Sequence, residues 1–320
     1  MTRIVITDHT FPGLPGTEEA ARATGAELVV HRRGGDEATL AEMVSGADAV
    51  LVQYGDLTRT VLSALPTGGL VVRYGIGVDN IDLGAAGELG IRVANVPDYG
   101  TDVVADHATA MLLALCRRLP WYDRQVRTRG WFDAAEAGPF PSLAASTIGL
   151  LGGGRIATAV ADRLRPFGCT VLAYDPYADR EVLAGHGVEV VDTLEELFTR
   201  SDGLSLHAPA TPATHHSVNA ERLTLMRPHA VLVNTARGTL VDSSALLDAL
   251  DHGTISAAAL DVFEEEPLTA DSRLALHPKI LHSPHAGFYS TQSLERLERL
   301  AAEEAARHLL GQPLRCEVTG

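Results

Sequence analysis

The segment at 147–157 reads Thr147-Ile148-Gly149-Leu150-Leu151-Gly152-Gly153-Gly154-Arg155-Ile156-Ala157. An apolar, strand-like run leads into glycines and a helical run, and a second apolar run at 169–174 ends at Asp175. Gly152 allows a tight turn, and Gly154 lets a pyrophosphate approach the backbone at the positive end of the helix. Asp175 stands where a carboxylate accepts hydrogen bonds from an adenosine ribose. The segment therefore predicts a dinucleotide-binding βαβ unit, with Ala157 as a permitted variant of the third glycine.

The charge of the chain limits the classes of molecule expected as binding partners. The 320 residues include 26 basic and 41 acidic ones, which gives a formal net charge of -15. Such a charge repels nucleic-acid phosphates and anionic membrane surfaces, so neither is expected as a partner. Lys279 is the only lysine, so a bound anion is expected to rely on Arg, His or backbone amides.

The cysteines and the apolar runs indicate a cellular compartment. Cys116, Cys169 and Cys316 are widely spaced and odd in number, which favours reduced thiols over a disulfide framework. No apolar run reaches the length of a signal peptide or a membrane span. These features predict a soluble, cytoplasmic protein.

The first hundred residues alternate short apolar runs with helical stretches. This pattern predicts five parallel strands in a flavodoxin-like arrangement. A Pro- and Gly-containing loop at 95–100 then leads into a long helix over about 101–118, so a domain boundary is expected near residue 101. The five predicted strands are Ile4–Ile6, Leu28–Val30, Ala49–Val52, Leu70–Val72 and Ile91–Ala94.

Strict strand–helix alternation after residue 147 predicts a doubly wound parallel sheet. Helix caps are expected at Asp192, with Glu195 three residues on, and at Asn219 and Asp242. A last helix, capped near Ser290, has an apolar stripe and no further strand to lead into, so it is expected to return to the first domain. The predicted strands are Val188–Val191, Gly203–His207, Ala230–Asn234, Ser256–Asp261 and Ile280–Ser283.

Three side chains follow successive strands of the second domain, where ligands of open parallel sheets bind. Arg237 lies in Asn234–Gly238, Glu266 ends an acidic run, and His285 lies in Ser283–Gly287. An Arg can hold a carboxylate by two hydrogen bonds and polarise the adjacent keto oxygen. An imidazole can deliver the proton, and a carboxylate paired with it favours its charged form. Together they predict reduction of a carbonyl group beside a carboxylate.

The thirteen histidines also raise the possibility of a metal site, above all at His277, His282 and His285 or at His215 and His216. No carboxylate or Cys cluster accompanies them at ligand spacing, so no metal is expected. A catalytic serine is not expected either, because no Gly-x-Ser-x-Gly elbow occurs.

Nearly the whole chain resembles the D-isomer-specific 2-hydroxyacid dehydrogenase family. The resemblance is carried by RYGIGVDNID at 73–82, the glycine motif, YDPY at 174–177, LHAPATPAT at 206–214 and the three segments around Arg237, Glu266 and His285. It implies a Rossmann cofactor domain, 102–286, inserted into a discontinuous substrate domain, 1–101 and 287–320. It also implies NAD-linked interconversion of 2-oxo acids and D-2-hydroxy acids by a homodimer joined through the cofactor domains.

The resemblance assigns roles by position. Arg237, Glu266 and His285 match the catalytic set, with His285 as proton donor and acceptor. Ile76 and Gly77 match amides that hold the substrate carboxylate, and Tyr54, Tyr74 and Phe288 are candidates for lining its side-chain pocket. Val104 matches a residue that packs on the nicotinamide, and Asp261 one that contacts its carboxamide. The remaining residues expected to contact NAD are Gly152, Gly154, Arg155, Ile156, Asp175, His207, Pro209, Thr214, Ala236, His285 and Gly287.

Departures from the family pattern leave alternatives open. Glu266 stands where formate dehydrogenases have Gln, which argues against formate, and Asp106 stands where relatives more often have Glu. Residues 284–290, PHAGFYS, are similar to the branch containing the C-terminal-binding-protein corepressors, with Phe288 in place of its Trp. An NAD-sensing scaffold for protein partners and a phosphite or phosphonate dehydrogenase are therefore rival hypotheses. The regulatory extension of longer phosphoglycerate dehydrogenases is expected to be absent.

Overall fold

The computed structural model describes residues 2–318, which divide into two compact units. Unit 1 contains the residues up to Gly100 together with those from Tyr289 onward, and unit 2 spans Thr101–Phe288. Unit 1 is thus built from both ends of the chain. None of the helices within 2–318 combines the length and the apolar character that a bilayer crossing needs.

The strands are short and follow the apolar runs of the sequence. In chain order they are β1 (Arg3–Ile6), β2 (Glu27–Val30), β3 (Ala49–Val52), β4 (Leu70–Arg73), β5 (Arg92–Ala94), β6 (Thr147–Leu151), β7 (Thr170–Tyr174), β8 (Val188–Val190), β9 (Gly203–Leu206), β10 (Val231–Asn234), β11 (Ala257–Leu260), β12 (Ile280–His282) and β13 (Glu317–Val318).

Helices alternate with these strands in both units. They are α1 (Pro15–Thr24), α2 (Glu37–Val44), α3 (Arg59–Leu62), α4 (Leu83–Leu89), α5 (Thr101–Cys116), α6 (Leu119–Arg129), α7 (Arg155–Leu164), α8 (Arg180–Gly185), α9 (Leu194–Arg200), α10 (Ala220–Leu225), α11 (Ser243–Asp251), α12 (Arg273–Leu276) and α13 (Thr291–Leu309). Short 3-10 turns lie at Ala134–Ala137, Leu143–Ala145, Arg165–Phe167 and Gly238–Leu240.

The sheet of unit 1 has the strand order β13-β5-β4-β3-β1-β2. The pairs among β1 to β5 are parallel and follow the flavodoxin-like order, which confirms that prediction. β3 is buried along its whole length because helices cover both faces of such a sheet. The antiparallel strand β13 pairs with β5 and was not predicted, since two residues carry no periodicity.

The sheet of unit 2 is parallel throughout, with the order β12-β11-β10-β9-β6-β7-β8. The order reverses at β6 and β9, so this doubly wound Rossmann sheet has its ligand-binding crevice at the carboxyl ends of those two strands. The predicted fold class is therefore confirmed. Asn234 pairs with Leu260, and Leu260 pairs with His282, so β10, β11 and β12 end level with one another.

Helix starts mostly follow the expected caps. The side chains of Asn219 and Asp242 accept the N–H groups of Arg222 and Ala245 at 3.0 Å, and Ser290 forms a capping box with Ser293. The prediction of Asp192 was wrong by one residue. Thr193 caps α9 instead, because its backbone is extended and its Oγ1 accepts the N–H of Glu196 at 3.1 Å.

The N-terminus of α1 is capped by a side chain from the far end of the chain. Leu14, the residue before the helix, makes no side-chain cap. Glu298 on α13 takes that place: its carboxylate accepts the N–H groups of Gly16 at 3.0 Å and Thr17 at 2.7 Å, and the Thr17 hydroxyl at 2.7 Å. Glu298 is 2% exposed. The two terminal segments of unit 1 are thus joined by a buried carboxylate at a helix N-terminus, where negative charge is favourable.

Candidate active site

The glycine motif forms the turn between β6 and α7. Gly152 has a φ of +100°, and a Cβ there would lie 2.8 Å from the carbonyl carbon of His207, so only glycine fits. Gly154 precedes α7 with no side-chain cap, and a Cβ placed on it would meet nothing within 4 Å. The turn therefore leaves room for a ligand beside the N-terminus of α7, as an anion-binding terminus requires.

Asp175 lies beside this turn, directly after β7. Its carboxylate accepts the N–H of Gly153 at 2.8 Å and the N–H of Tyr177 at 2.9 Å. Each oxygen has further acceptor capacity, so the group can also accept from ribose hydroxyls. Arg155 and Ile156 occupy the first positions of α7.

Two polar atoms at the carboxyl ends of β9 and β10 are buried without a hydrogen-bond partner in residues 2–318. They are Nε2 of His207 and Oγ1 of Thr235. Burial lowers the pKa of His207 to about 4, so the imidazole is neutral at physiological pH. Unpaired buried groups beside an open glycine turn fit a polar ligand that would pair with them. Thr235 was not singled out from the sequence, since a lone Thr carries no signal.

The other predicted cofactor positions lie in unit 2 as follows. Val104 is a buried residue of α5, and Ala236 follows β10. The hydroxyl of Thr214 donates to the carbonyl of Pro209 at 2.6 Å, which holds the loop after β9. The residues of unit 2 thus fit a dinucleotide at the crevice of its sheet.

Arg237 follows β10 in a turn that is packed against the loop after β11. A Cβ on Gly238 would lie 1.9 Å from the carbonyl carbon of Phe263, so these two backbones touch only because this residue is glycine. The Arg237 guanidinium donates from Nη1 to the carbonyl of Ala236 at 2.7 Å. This contact between the turns brings Arg237 near Glu266.

Glu266 and His285 form a hydrogen-bonded pair. Nδ1 of His285 lies 2.8 Å from Oε2 of Glu266, and both side chains are about one-third exposed, at 35% and 36%. Oε1 of Glu266 accepts the N–H of Phe263 at 2.9 Å. Burial opposes ionisation of this carboxyl, but the hydrogen bonds from His285 and Phe263 and the charges of His285 and Arg237 lower the pKa of Glu266 overall. Glu266 is therefore a carboxylate at hydrogen-bond distance from the imidazole of His285.

Glu264, two residues earlier in the same acidic run, has a different task. Its Oε2 accepts the N–H of Ser243 at the start of α11 at 2.8 Å, and its Oε1 lies 2.7 Å from Nε2 of His216. Glu264, in the loop after β11, thus connects His216, in the loop after β9, to Ser243 at the start of α11. No role for Glu264 was predicted from the sequence.

The loop after β4 in unit 1 contains Ile76 and Gly77. The side-chain amide of Asn95 donates to the carbonyl of Ile76 at 2.6 Å, and the N–H of Val96 donates to the carbonyl of Gly75 at 2.9 Å. Both carbonyls are thereby fixed, and within residues 2–318 no hydrogen bond engages the N–H groups of Ile76 and Gly77.

Tyr54 and Tyr74, two of the aromatic candidates for the substrate pocket, differ in their exposure to solvent. Tyr54 follows β3, is 53% exposed, and accepts a hydrogen bond on its hydroxyl from Gln53 at 3.3 Å. Its backbone N–H donates to Asp8 at 2.6 Å. The prediction for Tyr74 was wrong: it is 1% exposed and its ring packs edge-on against Phe11 in the core of unit 1.

The histidines considered as metal ligands have ordinary partners. His277 lies 3.3 Å from Asp251, His282 lies 2.9 Å from the carbonyl of Leu274, and His216 is bound to Glu264. Among the residues that the structure describes, no group of three His, Cys, Asp or Glu side chains is arranged to hold a metal ion.

Comparisons with known proteins point to one family. Residues 109–287 match the model of the D-isomer specific 2-hydroxyacid dehydrogenase NAD binding domain. The chain is 38% identical over 274 residues to D-3-phosphoglycerate dehydrogenase of Methanocaldococcus jannaschii, which covers 85% of this chain and 52% of that protein. It is 37% identical over 284 residues to glyoxylate reductase of Thermococcus litoralis, which covers 85% and 84%.

Solved structures show the same relationship over nearly the whole chain. D-lactate dehydrogenase of Aquifex aeolicus, solved with NAD and lactic acid, superposes with a TM-score of 0.85 at 31% identity and covers 97% of this chain and 96% of that one. The chain spans about half the length of the phosphoglycerate dehydrogenases that it matches. This chain belongs to the D-isomer specific 2-hydroxyacid dehydrogenase family.

Proposed function

We propose that this protein is an NAD-dependent oxidoreductase that interconverts a 2-oxo acid and a D-2-hydroxy acid. The observation that carries the proposal is the 2.8 Å contact between Nδ1 of His285 and Glu266, with the charge of Arg237 close enough to lower the pKa of that carboxyl. Relatives named for 3-phosphoglycerate, glyoxylate and D-lactate support the substrate class.

His285 is the proposed proton donor. Because Nδ1 is bound to Glu266, Nε2 is the nitrogen left to face a substrate oxygen. When bound, NADH supplies a hydride to the carbonyl carbon. As that bond forms, the π electrons of the carbonyl move to its oxygen, which takes the proton from Nε2 of His285. Glu266 stabilises the protonated imidazole before the transfer, and the oxidation of a hydroxy acid runs through the same groups in reverse.

Arg237 and the loop at 75–77 are the proposed binding groups for the substrate. The guanidinium would hold the substrate carboxylate and polarise the keto oxygen, because its planar fork matches a carboxylate in a way that lysine does not. The N–H groups of Ile76 and Gly77 are proposed donors of hydrogen bonds to a substrate carboxylate, and Tyr54 is the proposed contact for the substrate side chain. Bound NAD is proposed to contact Arg155, Asp175, His207, Thr214 and Asp261.

A scaffold that senses NAD without turnover would not require the His285–Glu266 pair, so the intact pair favours the enzyme. The direct test measures NADH oxidation by the purified protein with glyoxylate, pyruvate and 3-phosphohydroxypyruvate. At least one acid should be reduced, with kcat/KM lower by about 100-fold or more in Arg237→Ala and partly restored in Arg237→Lys. Equal rates in wild type and Arg237→Ala would reject the proposal, and NAD reduction by phosphite alone would favour the phosphite dehydrogenase.

Cofactor choice tests the role of Asp175. Its carboxylate would repel the 2′-phosphate of NADPH, so NADH should be the better substrate. Asp175→Ser should reduce that preference. A wild-type preference for NADPH would contradict the assignment.

We further propose a cytoplasmic homodimer. Within residues 2–318, Cys116, Cys169 and Cys316 form no disulfide, as in a reducing compartment. Helix α6 contains no buried residue, and Trp131 is 99% exposed in the segment that follows it. The segment 119–131, called the arm here, exposes the apolar side chains of Leu119, Val126 and Trp131. Exposed apolar side chains in one segment are typical of a surface that packs against a second copy.

A further inference from the structure

The backbone of His285 adopts a conformation that needs outside support. Its φ is +52°, a left-handed value that is unfavourable for a non-glycine residue. The N–H of His285 donates to the carbonyl of Asp261 at 2.7 Å and lies 3.1 Å from the carbonyl of Ser283. The imidazole that pairs with Glu266 is therefore presented by a strained loop, which we define as residues 283–287.

The carboxylate of Asp261 holds the same loop at three further points. Its Oδ1 accepts the N–H of Ala286 at 2.7 Å and the hydroxyl of Ser283, and its Oδ2 accepts the N–H of Gly287 at 2.8 Å. Asp261 is 2% exposed, so these bonds are shielded from water. A Cβ on Gly287 would lie 2.9 Å from Oδ2, which explains the glycine at this position. Oδ2 receives one of these bonds and can also accept from a ligand amide.

His107 on α5 completes this arrangement. Its Nε2 lies 2.9 Å from Oγ of Ser283 and 3.6 Å from Oδ1 of Asp261. Because the Ser283 hydroxyl donates to Asp261, its oxygen is free to accept a hydrogen bond from the imidazole. A chain of contacts thus runs from helix α5 through Ser283 and Asp261 to the loop that carries His285.

We propose that His107, Ser283 and Asp261 form a positioning network that sets the imidazole of His285 at hydrogen-bond distance from Glu266. The proposal rests on the proposed function, in which His285 transfers the proton. His107 and Ser283 contact each other and Asp261, which holds the loop. They act on the reaction only through His285, so they are positioning residues. An error of about 1 Å in such a group can lower a rate by about 100-fold.

The test uses four variants. Ser283→Ala removes the hydroxyl, His107→Leu removes the ring nitrogens, and His107→Gln keeps a donor on a similar side chain. Asp106→Asn is the matched control, because Asp106 is the neighbouring residue on α5 and pairs with Arg163 at 2.5 Å instead. We expect kcat for reduction to fall by about 10- to 100-fold in Ser283→Ala and His107→Leu, with KM within about 3-fold. His107→Gln should recover most of the rate, and Asp106→Asn should keep it.

A second readout does not depend on turnover. The imidazole N–H in the His285–Glu266 hydrogen bond should give a downfield proton resonance, assigned by its loss in His285→Asn. This resonance should broaden or shift in Ser283→Ala and His107→Leu and persist in His107→Gln and Asp106→Asn. If it responds in this way while wild type reduces no 2-oxo acid, the proposed function fails and the network stands. An unchanged resonance, or kcat within 2-fold of wild type in both Ser283→Ala and His107→Leu, would overturn the network.

Discussion

The carboxyl of Glu266 shows how one side chain can set the chemistry of its neighbour. Burial opposes its charge, yet the bonds from His285 and Phe263 and the charge of Arg237 leave its pKa below the usual range. When the pKa of a carboxyl is lowered by folding, the group contributes to the free energy of unfolding at any pH above its ordinary pKa. This contribution is lost as the pH falls through the lowered pKa. The carboxyl of Glu266 is therefore ionised through the neutral range.

Substitution of Glu266 by Gln should change the pH dependence of reduction. The amide can still accept a hydrogen bond from His285 but carries no charge, so the protonated imidazole is stabilised less. We expect the alkaline limb of kcat/KM for reduction to move to lower pH by about 1 unit. The measurement is NADH oxidation against pH for both proteins, and coincident profiles would remove Glu266 from the proposed pair.

Acid should destabilise the protein in part through His207. Burial lowers the pKa of this imidazole to about 4, whereas an unfolded chain titrates near about 6.5. Between these values the unfolded state binds a proton that the folded state does not, so stability falls as the pH falls. From pH 7 to pH 5 wild type should lose about 2 kcal/mol more of its free energy of unfolding than His207→Gln.

Urea unfolding followed by circular dichroism at the two pH values checks this difference. His252→Gln is the control, because His252 is exposed at the end of α11. It should lose as much stability as wild type. Equal losses in all three proteins would show that His207 is not held neutral by burial.

Among the elements, α1 depends on a cap that lies on α13. In Glu298→Gln one carboxylate oxygen becomes an NH2 group that faces the N–H groups of Gly16 or Thr17, so a buried acceptor is replaced by a donor. We expect the free energy of unfolding to fall by about 1–3 kcal/mol, with kcat within about 2-fold of wild type.

Thermal and urea unfolding measure this effect. Glu303→Gln is the matched control, since Glu303 lies on the same helix and pairs with Arg299 at a partly exposed position. Surface pairs of this kind contribute less than about 1 kcal/mol. A loss in Glu298→Gln no larger than in Glu303→Gln would mean that α1 does not need the carboxylate.

The elements themselves were largely predictable from the sequence. Apolar runs located the strands to within a residue or two because buried parallel strands have no polar face. The cap at Thr193 was missed because Asp192, its neighbour, is an equally good capping residue in sequence terms. Strand β13 was missed because its pairing depends on β5, which is more than 200 residues away in the chain. The cap by Glu298 depends on a contact across 281 residues and leaves no local pattern.

In the molecule as a whole, predictability follows from sheet geometry. Parallel strands place their carboxyl ends at one edge, so Arg237, Glu266 and His285 could be grouped from their positions after β10, β11 and β12. The contacts that hold these side chains in place could not be predicted from the sequence. His107 and Ser283 are 176 residues apart, and neither the left-handed backbone of His285 nor the orphaned Oγ1 of Thr235 has a sequence signature.

The proposed homodimer can be tested by substitutions in the arm, residues 119–131 of unit 2. If two copies pair there, replacing Leu119 and Trp131 by Ser should separate them, because both side chains are exposed and apolar, at 57% and 99%. Analytical ultracentrifugation should show about twice the chain mass of 33.9 kDa for wild type and the single chain mass for the variant. Tyr177→Ser, at a 94% exposed site outside the arm, should remain dimeric. A monomeric wild type, or a dimeric arm variant, would contradict the proposal.

The central claim is that His285, paired with Glu266, transfers the proton during reduction of a 2-oxo acid. The most direct measurement is kcat for NADH oxidation by wild type and His285→Asn with the 2-oxo acid that wild type reduces fastest. Loss of the proton donor should lower kcat by about 10²- to 10⁴-fold while NADH binding, followed by fluorescence, is retained. A His285→Asn variant that binds NADH and keeps kcat within about 3-fold of wild type would contradict the claim.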